Sequence, residues 1–143
     1  MSIDDQTSFF DIKVKLDEAL SCFGSNNFIE TLRIYDLILK HDSDNITALY
    51  SKGVTYSKMG ESEKAIISFK QVNKLYPNHP PTVANLAVLL EELNVQEAVD
   101  FANIAAISYP DLEAINRISK LLENNLIQDD TGPLLISNPV AEE

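Results

Sequence analysis

The stretch Ile46–His79, ITALYSKGVTYSKMGESEKAIISFKQVNKLYPNH, contains the clearest helical pattern of this chain. Its residues Leu49, Gly53 and Tyr56 stand at positions i, i+4 and i+7, which share one face of a helix with 3.6 residues per turn. Gly60 follows this helix, and glycine tolerates the positive φ at which many helices end. The pattern therefore predicts a first helix that packs along this face.

A second helix is predicted in the same stretch. Ala65, Phe69 and Val72 repeat the helical spacing on its inner face. Pro77 ends it, because proline has no amide hydrogen to donate and clashes with the preceding turn. Asn45, one residue before the stretch, is a good N-cap for the first helix. Because each inner face carries a small residue, the two helices can cross closely, and we predict an antiparallel helical hairpin.

The same pattern recurs on both sides of this stretch. A recurring period of this kind is the sequence signature of stacked repeats. One residue deleted near Asn94, in the turn of the third unit, accounts for every spacing of 33 residues instead of 34. The equivalent positions are Ala19, Gly53 and Ala87; Cys22, Tyr56 and Leu90; Thr31, Ala65 and Ala98; Tyr35, Phe69 and Ala102; Ile38, Val72 and Ala105; and Ser43, Pro77 and Pro110.

The unit Ile46–His79 resembles a tetratricopeptide repeat, whose pattern is W-x2-L-G-x2-Y followed by Ala, Phe and Pro. Lys52 replaces the usual Leu, and in the third unit Phe101 is expected to fill the aromatic place that Ala102 leaves open. The resemblance implies an all-α fold, a right-handed α-solenoid of antiparallel helical hairpins with about seven helices. The matching residues are Leu49 (in place of Trp), Gly53, Tyr56, Ala65, Phe69 and Pro77.

A capping helix is expected after Pro110. A solenoid needs one because its last repeat would otherwise expose an apolar side to water. Asp111 is expected to be its N-cap, and its apolar residues Leu112, Ile115, Ile118, Leu121 and Leu122 recur at helical spacing. We therefore divide the chain into an N-terminal segment (1–11), a repeat domain (12–126, with units 12–45, 46–79 and 80–110 and a capping helix at 111–126) and a flexible acidic tail (127–143).

The charge excludes two classes of partner. The chain has 143 residues with 11 basic and 22 acidic side chains, a formal net charge of −11. Nucleic acids and anionic membranes both require a basic footprint, so we expect neither. The middle unit, 46–79, differs: five lysines and two glutamates give 5 − 2 = +3. We interpret these lysines as solvated helix faces, or alternatively as a stripe that contacts an acidic partner.

A cytoplasmic location is expected from two further features. The single cysteine, Cys22, cannot form an internal disulfide. The first residues, MSIDDQTSFF, lack the basic start and apolar stretch of a signal peptide.

Enzyme motifs were not found, so we predict a non-catalytic protein without cofactor or metal. The chain contains no H-E-x-x-H, C-x-x-C, G-x-x-x-x-G-K or G-x-G-x-x-G. His41 and His79 lie far apart near predicted helix ends, where we interpret them as solvated residues. Cys22 falls on the packing face of the first helix and is expected to pack rather than react.

The candidate binding surface is the concave groove that the first helix of each unit would line. The helix positions next to the packing face are mostly apolar, and exposed apolar patches usually mark binding sites. Alternatively, the first helix, or an N-terminal segment that carries Phe9 and Phe10, packs differently and buries these residues. The predicted groove residues are Leu16, Leu20, Phe23, Tyr50, Val54, Ser57, Ala84, Asn85, Val88 and Glu91.

Two functions fit this surface. The first is a protein-interaction adaptor or scaffold that binds an apolar peptide or helix of a partner protein in the groove. The second is a homo-oligomeric structural protein, such as a homodimer, whose groove is filled by its own tail, where Pro133–Ile136 is apolar.

The resemblance also implies a negative prediction. Many tetratricopeptide domains hold the C-terminal carboxylate of a chaperone with Lys, Asn and Arg side chains on their first helices. No cation stands at the matching positions of this chain, so we expect no chaperone-tail binding of that kind. These positions hold Leu16, Leu20, Ser51, Pro81 and Asn85.

Overall fold

The computed structural model describes residues 10–123, and within them the regular structure is helical. Seven helices are present in this range, each separated from the next by a short turn. They are α1 (Ile12–Gly24), α2 (Phe28–His41), α3 (Ile46–Lys58), α4 (Ser62–Leu75), α5 (Pro80–Leu90), α6 (Val95–Ser108) and α7 (Glu113–Ser119).

The helices form two compact units, divided between His79 and Pro80. In the first unit α1 packs against α2, α2 against α3, and α3 against α4, which makes two consecutive helical hairpins. In the second unit α5 packs against α6, and α7 packs against both. The hairpins begin at Ile12, Ile46 and Pro80, which are the first residues of the three predicted repeat units.

Burial confirms the repeat register. Four of the six equivalent sets are buried at all three positions, and these sets carry the small or apolar side chains that face the neighbouring helix. Ala102, where a large aromatic residue was expected, is fully buried, and Phe101 beside it is half-buried. The four sets are Ala19, Gly53 and Ala87; Thr31, Ala65 and Ala98; Tyr35, Phe69 and Ala102; and Ile38, Val72 and Ala105.

The second helix of each hairpin ends in the same way. The residue after α2, α4 and α6 leaves the helical region, and its N–H donates to the carbonyl four residues earlier. Proline disfavours helical φ and ψ in the residue before it, which explains this geometry where a proline follows. The three residues are Asp42 (φ −142°, ψ 89°), Tyr76 (φ −136°, ψ 82°) and Tyr109 (φ −126°, ψ 62°), and they precede Ser43, Pro77 and Pro110.

The turn of the third hairpin confirms the predicted deletion. In the first two hairpins the turn contains a residue with positive φ, Asn26 (60°) and Gly60 (78°). The third turn lacks an equivalent of this positive-φ residue and is one residue shorter. Its closing hydrogen bond therefore spans four residues, whereas the closing bonds of the first two turns span five. The bonds that close the three turns are Asn27 N to Cys22 O (2.9 Å), Glu61 N to Tyr56 O (2.9 Å) and Asn94 N to Leu90 O (2.8 Å).

The start of α7 corrects one prediction. Asp111 is not the N-cap; Leu112 holds that position and makes no side-chain capping bond. Instead, Asn116 Nδ2 donates to the carbonyl of Pro110 at 2.7 Å and fixes the entry to the helix. Ile115 and Ile118 are fully buried, as the apolar face predicts, whereas Leu112 is 46% exposed. The expected continuation of the capping helix to 126 and the tail 127–143 extend beyond the described residues.

In the middle hairpin, Gly53 faces the ring of Phe69 at close range. The ring of Phe69 is fully buried. A Cβ atom placed on Gly53 would stand 2.8 Å from two of its ring carbons, which is too close for real atoms. The aromatic residue and the glycine are therefore a matched pair, because the ring occupies the space that any side chain on α3 would need.

We predict that Gly53→Ala destabilises the protein, because the buried Phe69 ring must move to admit a methyl group, at a cost of about 1–3 kcal/mol. The gain in helix propensity that alanine gives over glycine, about 1 kcal/mol, offsets only part of a cost in the middle of that range. Urea unfolding followed by circular dichroism measures the change. Gly24→Ala is the matched control: nothing lies within 4 Å of a Cβ at Gly24, so this variant should be as stable as the parent or slightly more so. A Gly53→Ala protein of parental stability would contradict the packing.

The N-cap residues of α2, α4 and α6 differ in the hydrogen bonds that they make. Asn27 Oδ1 and Asn94 Oδ1 accept the amide protons of Glu30 and Glu97, whereas the equivalent Glu61 makes no capping bond. Asparagine is among the best N-cap residues, and a good cap contributes roughly 0.5–2 kcal/mol. Glu61→Asn should therefore raise the midpoint of thermal unfolding, and Asn94→Ala should lower it. Equal or lower stability of Glu61→Asn would show that this turn cannot accept the cap.

Candidate functional site

A concavity of about 140 Å³ lies on the first unit, between α1, α2 and α3. Four of the predicted groove residues line it, together with Tyr35 and Ser51. Leu20 is 64% exposed at its rim. The four predicted residues that the structure brings together here are Leu20, Phe23, Tyr50 and Val54.

The base of the concavity is formed by Tyr35. This residue is only 4% exposed, and a side-chain hydrogen bond joins it to Ser51. Burial raises the pKa of the Tyr35 phenol, and the bond to Ser51 opposes that rise only in part. The phenol therefore stays neutral at physiological pH, and no charged side chain lines the concavity. Such a surface accepts an uncharged apolar group and disfavours a carboxylate or an ammonium.

Tyr50 belongs both to this surface and to the core. Its ring meets the buried Phe69 edge-on, with the ring centroids 5.4 Å apart, and it meets His79 at 5.8 Å. The structure also places the His79 ring 5.5 Å from that of Tyr76. His79 is thus half-buried among aromatic rings, whereas the sequence predicted a solvated residue. Because Tyr50 supports Phe69, truncating it would disturb packing as well as the concavity.

Two predicted groove residues of the first unit lie outside the concavity. Leu16 packs against the hydrophobic cluster of the first hairpin, which includes Ala19 and Ile34. Ser57 is exposed and is not part of the lining. Phe10 packs on the same cluster as Leu16 and stacks on His41 with the centroids 4.1 Å apart. Phe10 and Leu16 thus pack on the same cluster, whereas Leu20 is exposed.

The remaining predicted residues lie on the second unit. Val88 is 49% exposed, and Ala84 is half-buried. Asn85 Nδ2 donates to the carbonyl of Pro81 at 2.8 Å, within its own helix. These residues lie on α5, and their role in binding stays a prediction.

Glu91 has a structural partner. Its carboxylate forms a two-pronged ion pair with the guanidinium of Arg117 on α7, and one of the two bonds measures 2.9 Å. The bond to Arg117 lowers the pKa of the Glu91 carboxyl. A carboxyl group with a lowered pKa stabilises the fold above its unfolded pKa, and the contribution is lost as the pH falls through the folded value. Glu91 thus joins α5 to α7.

Sequence reasoning did not assign Tyr35 and Ser51 to the binding surface. Tyr35 belongs to the same repeat set as Phe69 and is buried like it. It nevertheless lines the concavity. The sequence did contain one signal: Tyr35 carries a hydroxyl that Phe69 lacks. A hydroxyl at a core position needs a polar neighbour. Ser51 supplies one.

Residues 10–123 contain neither a candidate metal site nor a candidate membrane span. No group of three or more His, Cys, Asp or Glu side chains in this range could hold a metal ion. None of the helices described there is long and apolar enough to cross a membrane.

Comparison with known sequences identifies the middle unit. The tetratricopeptide repeat family matches residues 46–79. Tetratricopeptide repeat protein 13 of Homo sapiens is 29% identical over 83 residues, which cover 54% of this chain and 10% of that protein. The chain thus spans a tenth of the length of this relative.

Comparison with solved structures identifies the fold of the larger part of the chain. A MamA protein is 19% identical, with a TM-score of 0.73 over 91% of this chain and 69% of that one. The type III secretion translocator chaperone SycD of Yersinia enterocolitica is 16% identical, with a TM-score of 0.66 over 83% of this chain and 86% of that one.

A third solved structure contains a bound peptide. The first tetratricopeptide domain of Spaghetti (RPAP3), bound to the HSP90 peptide SRMEEVD, is 14% identical, with a TM-score of 0.69 over 78% of this chain and 93% of that one. At these identities the likeness concerns the fold, which is the all-α architecture of helical hairpins that the sequence predicts. Residues 46–79 are therefore a tetratricopeptide repeat, and the chain has the fold of the tetratricopeptide repeat proteins.

Proposed function

We propose that this chain is a non-catalytic protein-interaction module, and that it binds an apolar segment of another protein in the concavity of its first unit. The observation that carries the proposal is the arrangement of Leu20, Phe23, Tyr50 and Val54 around one uncharged depression. Two of the structural relatives support a binding role. One is a chaperone, and the other holds a peptide.

The concavity favours one aliphatic or aromatic anchor residue. Its lining is mainly apolar, and the lining residues that carry hydroxyls are Tyr35, Tyr50 and Ser51. The Ser51 and Tyr35 side chains bond to each other. Binding energy would come from desolvating the anchor and the rim leucine, as in the buried centre of most protein interfaces. An adaptor of this kind needs no cofactor.

The self-filled groove is the second candidate. The apolar stretch 133–136 that would occupy the groove lies outside the described residues, and the support for this candidate is the exposed, uncharged surface itself. It differs from the adaptor in one testable respect: a groove filled by its own chain is protected from solvent before any partner is added.

We predict that Leu20→Asp weakens ligand binding at least about tenfold, because it places a carboxylate at the rim of an apolar site. The ligands are peptides selected on the parent protein from a random display library, with binding measured by fluorescence anisotropy. The selected peptides should share an uncharged aliphatic or aromatic anchor. Selection of sequences without such an anchor would contradict the proposal.

Val14→Asp is the matched control for this variant. Val14 lies on the same helix, is similarly exposed at 56%, and does not line the concavity. Both variants should unfold within about 0.5–1 kcal/mol of the parent, as exposed substitutions do. Equal loss of binding in the two variants would show that the ligands recognise the surface of α1 in general rather than the concavity.

The peptide SRMEEVD should not bind. A buried carboxylate needs a cation, and the clamp positions Leu16, Leu20, Ser51, Pro81 and Asn85 supply none. Isothermal titration should give no saturable heat at a peptide concentration of about 1 mM, with affinity therefore weaker than about −4 kcal/mol. Saturation in the micromolar range would overturn this prediction and show that the chain binds chaperone tails by another set of residues.

A further inference from the structure

A second cavity of about 230 Å³ lies elsewhere on the first unit. It is formed by the loop between α2 and α3, by α3 itself, and by the last turn of α4. None of its residues lines the concavity described above. The lining residues are Ser43, Asp44, Leu49, Gln71, Lys74 and Leu75.

This cavity is amphipathic. Leu49, which is 6% exposed, and Leu75, which is 42% exposed, supply its apolar part. Gln71 and Lys74 lie one turn apart on the exposed face of α4. Within the described part of the chain, neither of these two side chains forms a hydrogen bond or an ion pair. Two polar groups are therefore available to a ligand beside an apolar surface.

The other two repeats lack this combination. The position of Lys74 corresponds to Lys40 and Ile107, and that of Gln71 corresponds to Leu37 and Ile104. Lys40 is thus accompanied by leucine rather than glutamine, and the third repeat is apolar at both positions. Because the hairpins pack with the same register in all three repeats, packing does not require a glutamine and a lysine at these places.

The charges of the cavity lining indicate the chemistry of its ligand. The middle repeat carries +3 in a chain of net charge −11, and Lys74 is the cation of the cavity. Asp44 is its one carboxylate and opposes a second negative charge. A side-chain amide such as that of Gln71 can both donate to and accept from a peptide group. The chemistry thus fits a segment with a single acidic side chain rather than a polyacidic run.

We propose that this cavity is a second protein-binding site, whose occupant is an extended segment of a partner with an aliphatic residue next to one carboxylate. In this arrangement the carboxylate pairs with Lys74, the peptide backbone bonds to Gln71, and the aliphatic side chain covers Leu49 and Leu75. Asp44 discriminates against neighbouring acidic residues. This site is independent of the concavity lined by Leu20.

The test uses the full chain labelled with nitrogen-15 and the blocked peptide acetyl-Gly-Ser-Leu-Glu-Ser-Gly-amide. We expect saturable NMR shifts at the amides of Leu49, Gln71 and Lys74, with a dissociation constant of about 1 mM. The same peptide with glutamine in place of glutamate should bind about two- to fivefold more weakly, because it loses an exposed ion pair with Lys74. Lys74→Met keeps the aliphatic stem, removes the charge and should weaken the glutamate peptide to the same extent.

Lys58→Met is the matched control, because it removes one exposed lysine of the same repeat that does not line the cavity. It should leave binding unchanged. The proposal is overturned by an absence of saturation at about 10 mM, by equal binding of the two peptides, or by equal effects of the two lysine variants. Shifts at Leu20 and Val54 instead would place the peptide in the concavity and would also overturn it. Each of these failures leaves the proposed function of the concavity to be judged by its own variants.

Discussion

The contact between the Phe69 ring and the backbone of Gly53 is the constraint on which the middle repeat depends. The ring lies where a side chain at position 53 would have to be, so any residue larger than glycine there forces the Phe69 ring or the helices to move. The buried ring in turn supports Tyr50 from its edge. Through Tyr50 the packing of the hairpin reaches the surface, where the same residue lines the concavity. Gly53, Phe69 and Tyr50 thus connect the packing of the hairpin core to the surface of the concavity.

The parts of this fold that the sequence predicts are those that depend on local spacing. Small residues at one face of each helix, a residue able to adopt positive φ in the turn, and a proline after the second helix determine where hairpins begin and end. The missing residue near Asn94 was visible as a change of spacing from 34 to 33, and the structure contains it as a turn shortened by one residue. These features require no knowledge of which elements meet in space.

The parts that the sequence did not predict depend on what lies beside each helix. The positions of Leu16 and Leu20 on a helical wheel suggest the same surface, yet Leu16 packs against the hydrophobic cluster of the first hairpin, and Leu20 is exposed. Asp111 is a good capping residue by type, but α7 begins two residues later and its entry is fixed by Asn116. The second cavity combines a loop, the start of one helix and the end of another. No single stretch of sequence contains that combination.

The central claim is that the concavity is open in the free protein and available to a partner. The most direct measurement is the paramagnetic relaxation of methyl protons by a soluble gadolinium chelate, recorded on the full chain with labelled leucine and valine methyl groups. We expect the Leu20 methyls to relax about as strongly as those of Val14, since both residues are more than half exposed. Protection of Leu20 and Val54 with Val14 still accessible would contradict it, because the concavity would then already be filled by the protein's own chain or by a second copy.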